Sequence, residues 1–181
     1  SEWSSGYPAA TGIGTQHGGI LVDFNAVKGG IEIIPLDNDW QKAAHVYSDE
    51  VLISHRTDAE KGTPKFERGK SLSDHQREMI YISGTAAIRG EESIVTGDVL
   101  VQTEITLENI QHLIGLEEGR EKLPEHSGKL ELLRVYLKHE EDAKIVKEDM
   151  DKLCPDVPIV YLYADVCREE LLVEIEGIAY L

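Results

Sequence analysis

Two glutamates near the end of the chain, Glu174 and Glu176, are spaced for proton chemistry. They sit in the run Leu171 to Tyr180, which reads as a β-strand. Strand side chains alternate, so Leu171, Val173 and Ile175 point one way. Leu172, Glu174, Glu176 and Ile178 point the other, and two carboxylates share a face with two aliphatics. If that face is solvated, the carboxylates are ordinary surface charges. If it lines a cleft, desolvation disfavours the charged form and raises the pKa. A carboxyl in that state donates a proton near neutral pH. The residues themselves leave both readings open.

Other candidates are less pointed. Cys167 lies seven residues before Glu174 and beside Arg168. No activating base is close in sequence, so it reads as a small filler and not as a nucleophile. Ser83, Gly84, Thr85 and Ala86 follow a strand directly. They read either as a bulge or turn, or as a place where main-chain N–H groups approach a ligand, with Gly84 leaving room. Ser83 lacks the GxSxG elbow of a hydrolase nucleophile. Arg68 follows Phe66 and precedes the first core strand, which favours it among the arginines as a partner for a carboxylate ligand. Tyr47 reads as core packing or as a pocket wall.

The bulk properties restrict the function class. The 181 residues carry a formal charge of −16. Phosphate binding requires Lys and Arg in excess, so nucleic acid is not an expected partner. A small anionic ligand is compatible, because a few basic groups in a pocket can dominate locally. The seven histidines form no HxH or HExxH, and the two cysteines, Cys154 and Cys167, form no CxxC. No metal or cofactor is expected. Gly12-Ile13-Gly14 is a lone GxG that neither follows a strand nor opens a helix, so it is not a dinucleotide motif. No apolar run reaches the ~18 residues of a membrane span, and no secretory signal opens the chain. A cytoplasmic enzyme with reduced thiols is the expectation. The chain begins at Ser1 without a Met, which reads as a processed or cut chain.

The elements that must position these residues follow from periodicity. Gly19 to Val27 and Ile31 to Leu36 flank Lys28-Gly29-Gly30, which predicts a hairpin. Asp49 to Asp74 is polar and broken by Thr63-Pro64 and Arg68-Gly69, which predicts a surface loop or lid. Met79 to Ser83 is a strand. Asp98 or Thr96 caps a helix whose stripe is Val99, Thr103, Thr106, Ile110 and Leu113, ended by Gly115. Lys129 to Lys138 is a strand and Glu140 to Leu153 a second helix. Pro158 to Ala164 and Leu171 to Tyr180 are the last two strands. The division is 1–77, an N-terminal hairpin region and loop, and 78–181, a ββαβαββ domain. That is an α+β layer with two helices on one face of a mixed sheet. Its other face needs cover from another copy or another domain.

An ordered set of segments resembles the YjgF/RidA superfamily. It comprises Tyr81 to Ala86, Gly97-Asp98, Gln102-Thr103, Leu107 to Ile110, Val135 to Leu137 and Val173 to Ala179. Gly6 to Gly14, Pro35 to Asn38, Ser83 to Ala86, Asp165 to Arg168 and Leu171 to Gly177 are similar to chorismatases. Those enzymes split chorismate into pyruvate and a hydroxybenzoate or a dihydroxylated cyclohexadiene carboxylate. The resemblance implies that Glu174, the first Glu of the terminal Glu-Ile-Glu, is the proton donor. It implies that Ser83 to Ala86 lie along the ligand and that arginines clamp its two carboxylates, a role for which Arg68, with Tyr47 beside it, is the candidate the residues themselves offer. Cys167 is similar to the hydroxybenzoate-forming branch. It also implies a homotrimer, or cover by an N-terminal domain, and a longer N-terminus. Two features depart from the pattern. The superfamily's imine deaminases carry an Arg near the start of the fourth strand, where Ile159 and Val160 stand. Chorismatases carry an Arg after Leu-Asp-Asn, where Trp40 stands.

Overall fold

The computed structural model describes residues 6–16, 18–52, 61–74, 76–115 and 129–181. One sheet of six strands organises them: β1 (Glu32–Leu36), β2 (Gly69–Ser73), β3 (Glu78–Thr85), β6 (Lys129–Leu137), β7 (Ile159–Tyr163) and β8 (Val173–Tyr180). A small hairpin of β4 (Ile88–Arg89) and β5 (Glu92–Ser93) follows β3. The two helices are α1 (Val99–Leu113) and α2 (Ala143–Leu153). The strand order is β1-β2-β3-β8-β6-β7, with only β6 and β7 parallel. The fold is therefore α+β, a mixed sheet with two helices, as the periodicity predicts.

The helices and one sheet face make the core. Ile80, Ile82, Leu133, Val135, Val173, Ile175 and Ala179 of the sheet pack with Val99, Leu107 and Ile110 of α1 and Val146 and Met150 of α2. The Asp98 carboxylate caps α1 by accepting from the amides of Leu100 and Val101 at 2.9 and 3.3 Å, satisfying orphan donors of the first turn. Val173 and Ile175 are fully buried in this core, so alternation turns Glu174 and Glu176 onto the opposite sheet face.

Two expectations fail. Gly19 to Val27 forms no strand, and Ile20, Leu21, Val22 and Phe24 are exposed. The second half of that expected hairpin is real, but β1 pairs with β2. An apolar run bounded by a Gly-Gly turn fits a hairpin locally, yet a distant strand with a core to join pairs better than a neighbour without one. The loop expected over Asp49 to Asp74 contains that partner. β2 lies between β1 and β3, and Glu67, Arg68, Gly69, Lys70 and Ser71 are buried. Their polarity hid a strand whose outward face meets other protein groups instead of water. Residues 53–60 of this stretch lie outside the described residues. The boundary expected at 77/78 falls between β2 and β3, which pair from Gly69↔Ile82 to Ser73↔Glu78.

Candidate active site

Glu174 is 8% exposed. It stands opposite Tyr136 of β6, and Arg134 stands opposite Glu176. The Arg134 guanidinium and the Tyr136 hydroxyl both donate to Glu176 Oε1, at 2.6 and 2.7 Å. The two glutamates that look alike in sequence are thus in different states. Glu176 is paired and hydrogen-bonded. Glu174 is buried, and its carboxyl is pushed up to about 7, first by desolvation and then by the charge of Glu176. The Arg68 guanidinium works against the rise.

The backbone on β3 is shaped around this carboxyl. The β3–β8 register shifts between Ile82 and Thr85, a bulge that brings Gly84 onto Glu174. A Cβ on Gly84 would lie 2.1 Å from Glu174 Oε1. Of the two readings of Ser83 to Ala86, the bulge is what the strand register shows, and the close approach at Gly84 is to the Glu174 carboxyl, with the Gly84 amide donating to Thr11 Oγ1. The side chains around it are engaged elsewhere. Ser83 Oγ donates to the carbonyl of Glu67 at 2.6 Å and accepts from the amide of Ala10 at 3.0 Å. Thr85 Oγ1 donates to the Ser83 carbonyl at 3.0 Å. Ala86 packs with Ala87, Ile88, Val166 and Leu171 in a second small core.

Arg68 and Tyr47 come together although 21 positions apart. Arg68 is 3% exposed. Its Nη2 donates to the carbonyl of Lys42 at 2.6 Å and to the hydroxyl of Tyr47, while its buried Nε has no hydrogen-bond partner among the described residues. The Tyr47 ring centre lies 5.5 Å from the guanidinium carbons of both Arg68 and Arg168. Arg168 is fixed in turn by the Glu91 carbonyl and Ser93 Oγ of the β4–β5 hairpin, each at 2.9 Å. One aromatic thus serves two cations beside a buried carboxyl.

Cys167 is not the buried filler its residue type predicts. The residue is exposed, and its Sγ donates to the carbonyl of Gly12 at 3.1 Å. Close packing about the sulfur raises the thiol pKa, and the nearby Glu174 charge raises it further. The thiol stays protonated at neutral pH, which fits a pocket wall better than a nucleophile.

Sequence reasoning missed the segment that closes this arrangement. Residues 7–14 form an arm across the ends of β2, β3 and the β7–β8 connection. The Tyr7 amide donates to Glu67 Oε1 at 2.8 Å, and the Glu67 amide to the Pro8 carbonyl at 3.0 Å. Thr11 Oγ1 accepts from the Gly84 amide at 2.8 Å. Gly14 and Asp165 exchange two backbone bonds, at 2.9 and 3.0 Å. The segment carries part of the chorismatase resemblance, which was its only sequence signal. Trp40 plays no part here: it stacks on His112 with ring centroids 4.0 Å apart, under the Arg89 guanidinium.

The chain is 35% identical to a chorismatase of Streptomyces rapamycinicus over 179 residues, 94% of this chain and 50% of that protein. It is 33% identical to a 3-hydroxybenzoate synthase of Streptomyces hygroscopicus over 185 residues, 95% of this chain and 50% of that protein. The crystal structure of a chorismatase superposes with a TM-score of 0.72 at 28% identity, over 95% of this chain and 50% of that one. The chain thus resembles chorismatases and has the YjgF/RidA-like α+β fold of their solved structure. Yeast Mmf1 shares the fold with a TM-score of 0.52 at 13% identity, over 82% of this chain and 98% of its own. No protein-family model matches. The chorismatase-like chain spans about half the length of the curated relatives it matches. Among its described residues, no helix is long and apolar enough to cross a membrane. Nor do these residues hold a group of three or more His, Cys, Asp or Glu able to bind a metal ion.

Proposed function

We propose that this chain carries the proton-donating site of a chorismatase-type enzyme, which cleaves chorismate to pyruvate and a hydroxybenzoate. The observation that supports this most is Glu174: a buried carboxyl whose pKa lies near neutrality, against a glycine backbone and within the field of a buried arginine. An enol ether breaks once its methylene carbon takes a proton. That step needs one well-placed neutral carboxyl, protonated near pH 7. Proton transfer makes a C–H bond at the methylene and leaves positive charge on the adjoining carbon and ether oxygen. The ring C–O bond then breaks, its electrons making the ether oxygen the keto oxygen of pyruvate. The ring loses one proton as it becomes aromatic, and the Glu174 carboxylate left by the first step takes it back. Pyruvate and a hydroxybenzoate together contain the atoms of chorismate, so no net water is consumed.

Arg68 is the proposed partner for a substrate carboxylate, through its buried Nε, with Tyr47 holding the guanidinium plane. Gly84 and Cys167 form walls beside Glu174. Val160 and Leu162 of β7 are exposed. A second copy of the chain, or a further domain of the same enzyme, is proposed to cover the sheet face bearing Glu174 and Glu176.

The test is incubation of the protein with chorismate, following pyruvate with a coupled dehydrogenase and the aromatic product by chromatography. Release of both, abolished in Glu174→Gln, is the expected result. A folded protein that binds chorismate and releases no pyruvate would sink the proposal.

A further inference from the structure

One buried carboxylate has no part in the proposed chemistry. Glu67 is 6% exposed, yet it is bonded through its amide, its carbonyl and its side chain. Oε1 accepts from the Tyr7 amide, the amide donates to the Pro8 carbonyl, and the carbonyl accepts from Ser83 Oγ. Ser83 Oγ in turn accepts from the Ala10 amide. These links tie the arm of residues 7–14 to Glu67, directly at Tyr7 and Pro8 and through Ser83 at Ala10. Gly6 passes so close that a Cβ there would lie 2.6 Å from Glu67 Oε1, at a φ of +72° that favours glycine.

The arm held in this way lies on Glu174. Thr11 Cγ2 and Glu174 Oε1 lie 2.7 and 2.1 Å from the same point, the position a Cβ on Gly84 would take. The next residue, Gly12, accepts from Cys167 Sγ, whose thiol feels the Glu174 charge. We infer that Glu67 is a positioning residue: it pins the arm across Glu174, so that the arm, together with the sheet, closes this carboxyl to water. The inference rests on reading Glu174 as the functional carboxyl of the site.

The charges around both groups are accounted for. Glu174 is faced by Glu176 on its own strand, by Arg68 before β2, by Cys167 before β8, and by Tyr136 and Arg134 of β6, whose polar ends go to Glu176. β3 and the arm bring no ionisable group to it: Ser83, Gly84, Thr85 and Thr11 are neutral. Glu67 itself is faced by His45, with Nδ1 3.8 Å from Oε2, and by Lys70. Removing Glu67 therefore acts on Glu174 through the arm and not through a charge contact.

The experiment uses the full chain with carboxyl-labelled glutamate, read by NMR in wild type, Glu67→Ala, Glu67→Gln and Gly6→Ala. In wild type, Glu174 titrates near 7. In Glu67→Ala the Ala10 and Gly84 amides exchange at least about tenfold faster, as expected when a local opening free energy falls. The Glu174 midpoint then moves down toward the ordinary carboxylate range as water reaches it. Glu67→Gln keeps an oxygen for the Tyr7 amide without the charge, and stays close to wild type in both readouts. If Glu67→Ala does not fold, Gly6→Ala carries the test, because its methyl pushes the arm off Glu67. Unchanged amide exchange overturns the inference, as does faster exchange with an unmoved Glu174. So do a Gln variant that behaves like Ala and a wild-type Glu174 that already titrates in the ordinary range. None of these readouts needs turnover, so a chain that releases no pyruvate tells against the proposed function alone.

Discussion

The α-carbon of Gly84 lies so close to Glu174 that a methyl group on it would stand 2.1 Å from the carboxyl oxygen. Thr11 Cγ2 closes the same space from the other side, 2.7 Å from that point. The carboxyl and the Thr11 methyl both crowd this bare stretch of backbone, so a methyl group on Gly84 must displace one of the two side chains.

Gly84→Ala is therefore expected to disable the site while leaving the fold largely intact. An added methylene in close packing costs about 1–3 kcal/mol. A carboxyl displaced by about 1 Å loses on the order of 100-fold in rate. The drop should appear in kcat for pyruvate release, with Tm lowered by a few degrees. Wild-type kcat in Gly84→Ala would show that Glu174 does not need this contact.

Burial of Glu174 also fixes the pH dependence of stability. Its folded pKa of about 7 lies above the ordinary 4.5. The folded state thus holds the proton more tightly than the unfolded chain. That contribution is fully present below about pH 4.5 and is lost as pH rises through 7. The shift corresponds to roughly 3 kcal/mol at 1.36 kcal/mol per unit. Glu174→Gln keeps the shape and cannot ionise, so it should be more stable than wild type at pH 8 by up to about this amount. The advantage should vanish by pH 4 to 5. Denaturant unfolding at both pH values measures it, while activity falls by roughly 100-fold or more.

Glu176 raises Glu174 by its charge alone. Glu176→Gln should lower the alkaline limb of kcat/KM, which reports the free-enzyme acid. The limb should stay above the ordinary carboxylate range, because desolvation is the larger cause. The same substitution removes the carboxylate that, after burial, holds the Tyr136 hydroxyl above its usual value, so the tyrosinate absorbance should appear at lower pH. An unmoved limb would mean that the two glutamates are uncoupled.

Sequence reading reached the core and the shared face of the two glutamates through local periodicity, whereas the choice of Glu174 as the proton donor came only from the resemblance to chorismatases. Val173 and Ile175 against Glu174 and Glu176 are legible in four consecutive residues. Asp98 and the α1 stripe are legible in the same way. The arm and β2 were not legible, because their partners are far away in the chain. Glu67, Arg68 and Lys70 look like a polar loop, and only their pairing with residues 7–10, 42, 47 and 81 makes them interior. Cys167 failed for the opposite reason. Its type predicts burial, whereas its neighbours Asp165 and Gly12 hold it at the surface against the arm.

Arg68 separates charge from shape in the proposed substrate clamp. Its guanidinium spends one nitrogen on Tyr47 and the Lys42 carbonyl, and its buried Nε finds no partner among the described residues. Lysine preserves the positive charge near Glu174 but not the planar fork. Arg68→Lys should leave the pH limb set by Glu174 nearly in place. It should raise KM for chorismate by about 10- to 100-fold, the value of one charged hydrogen bond. Arg68→Ala also removes the charge that opposes the rise of Glu174, so its limb should move to higher pH as KM climbs. A KM unchanged in both variants would place the substrate carboxylate elsewhere, and Arg168, on the other side of the Tyr47 ring, is the next group to replace.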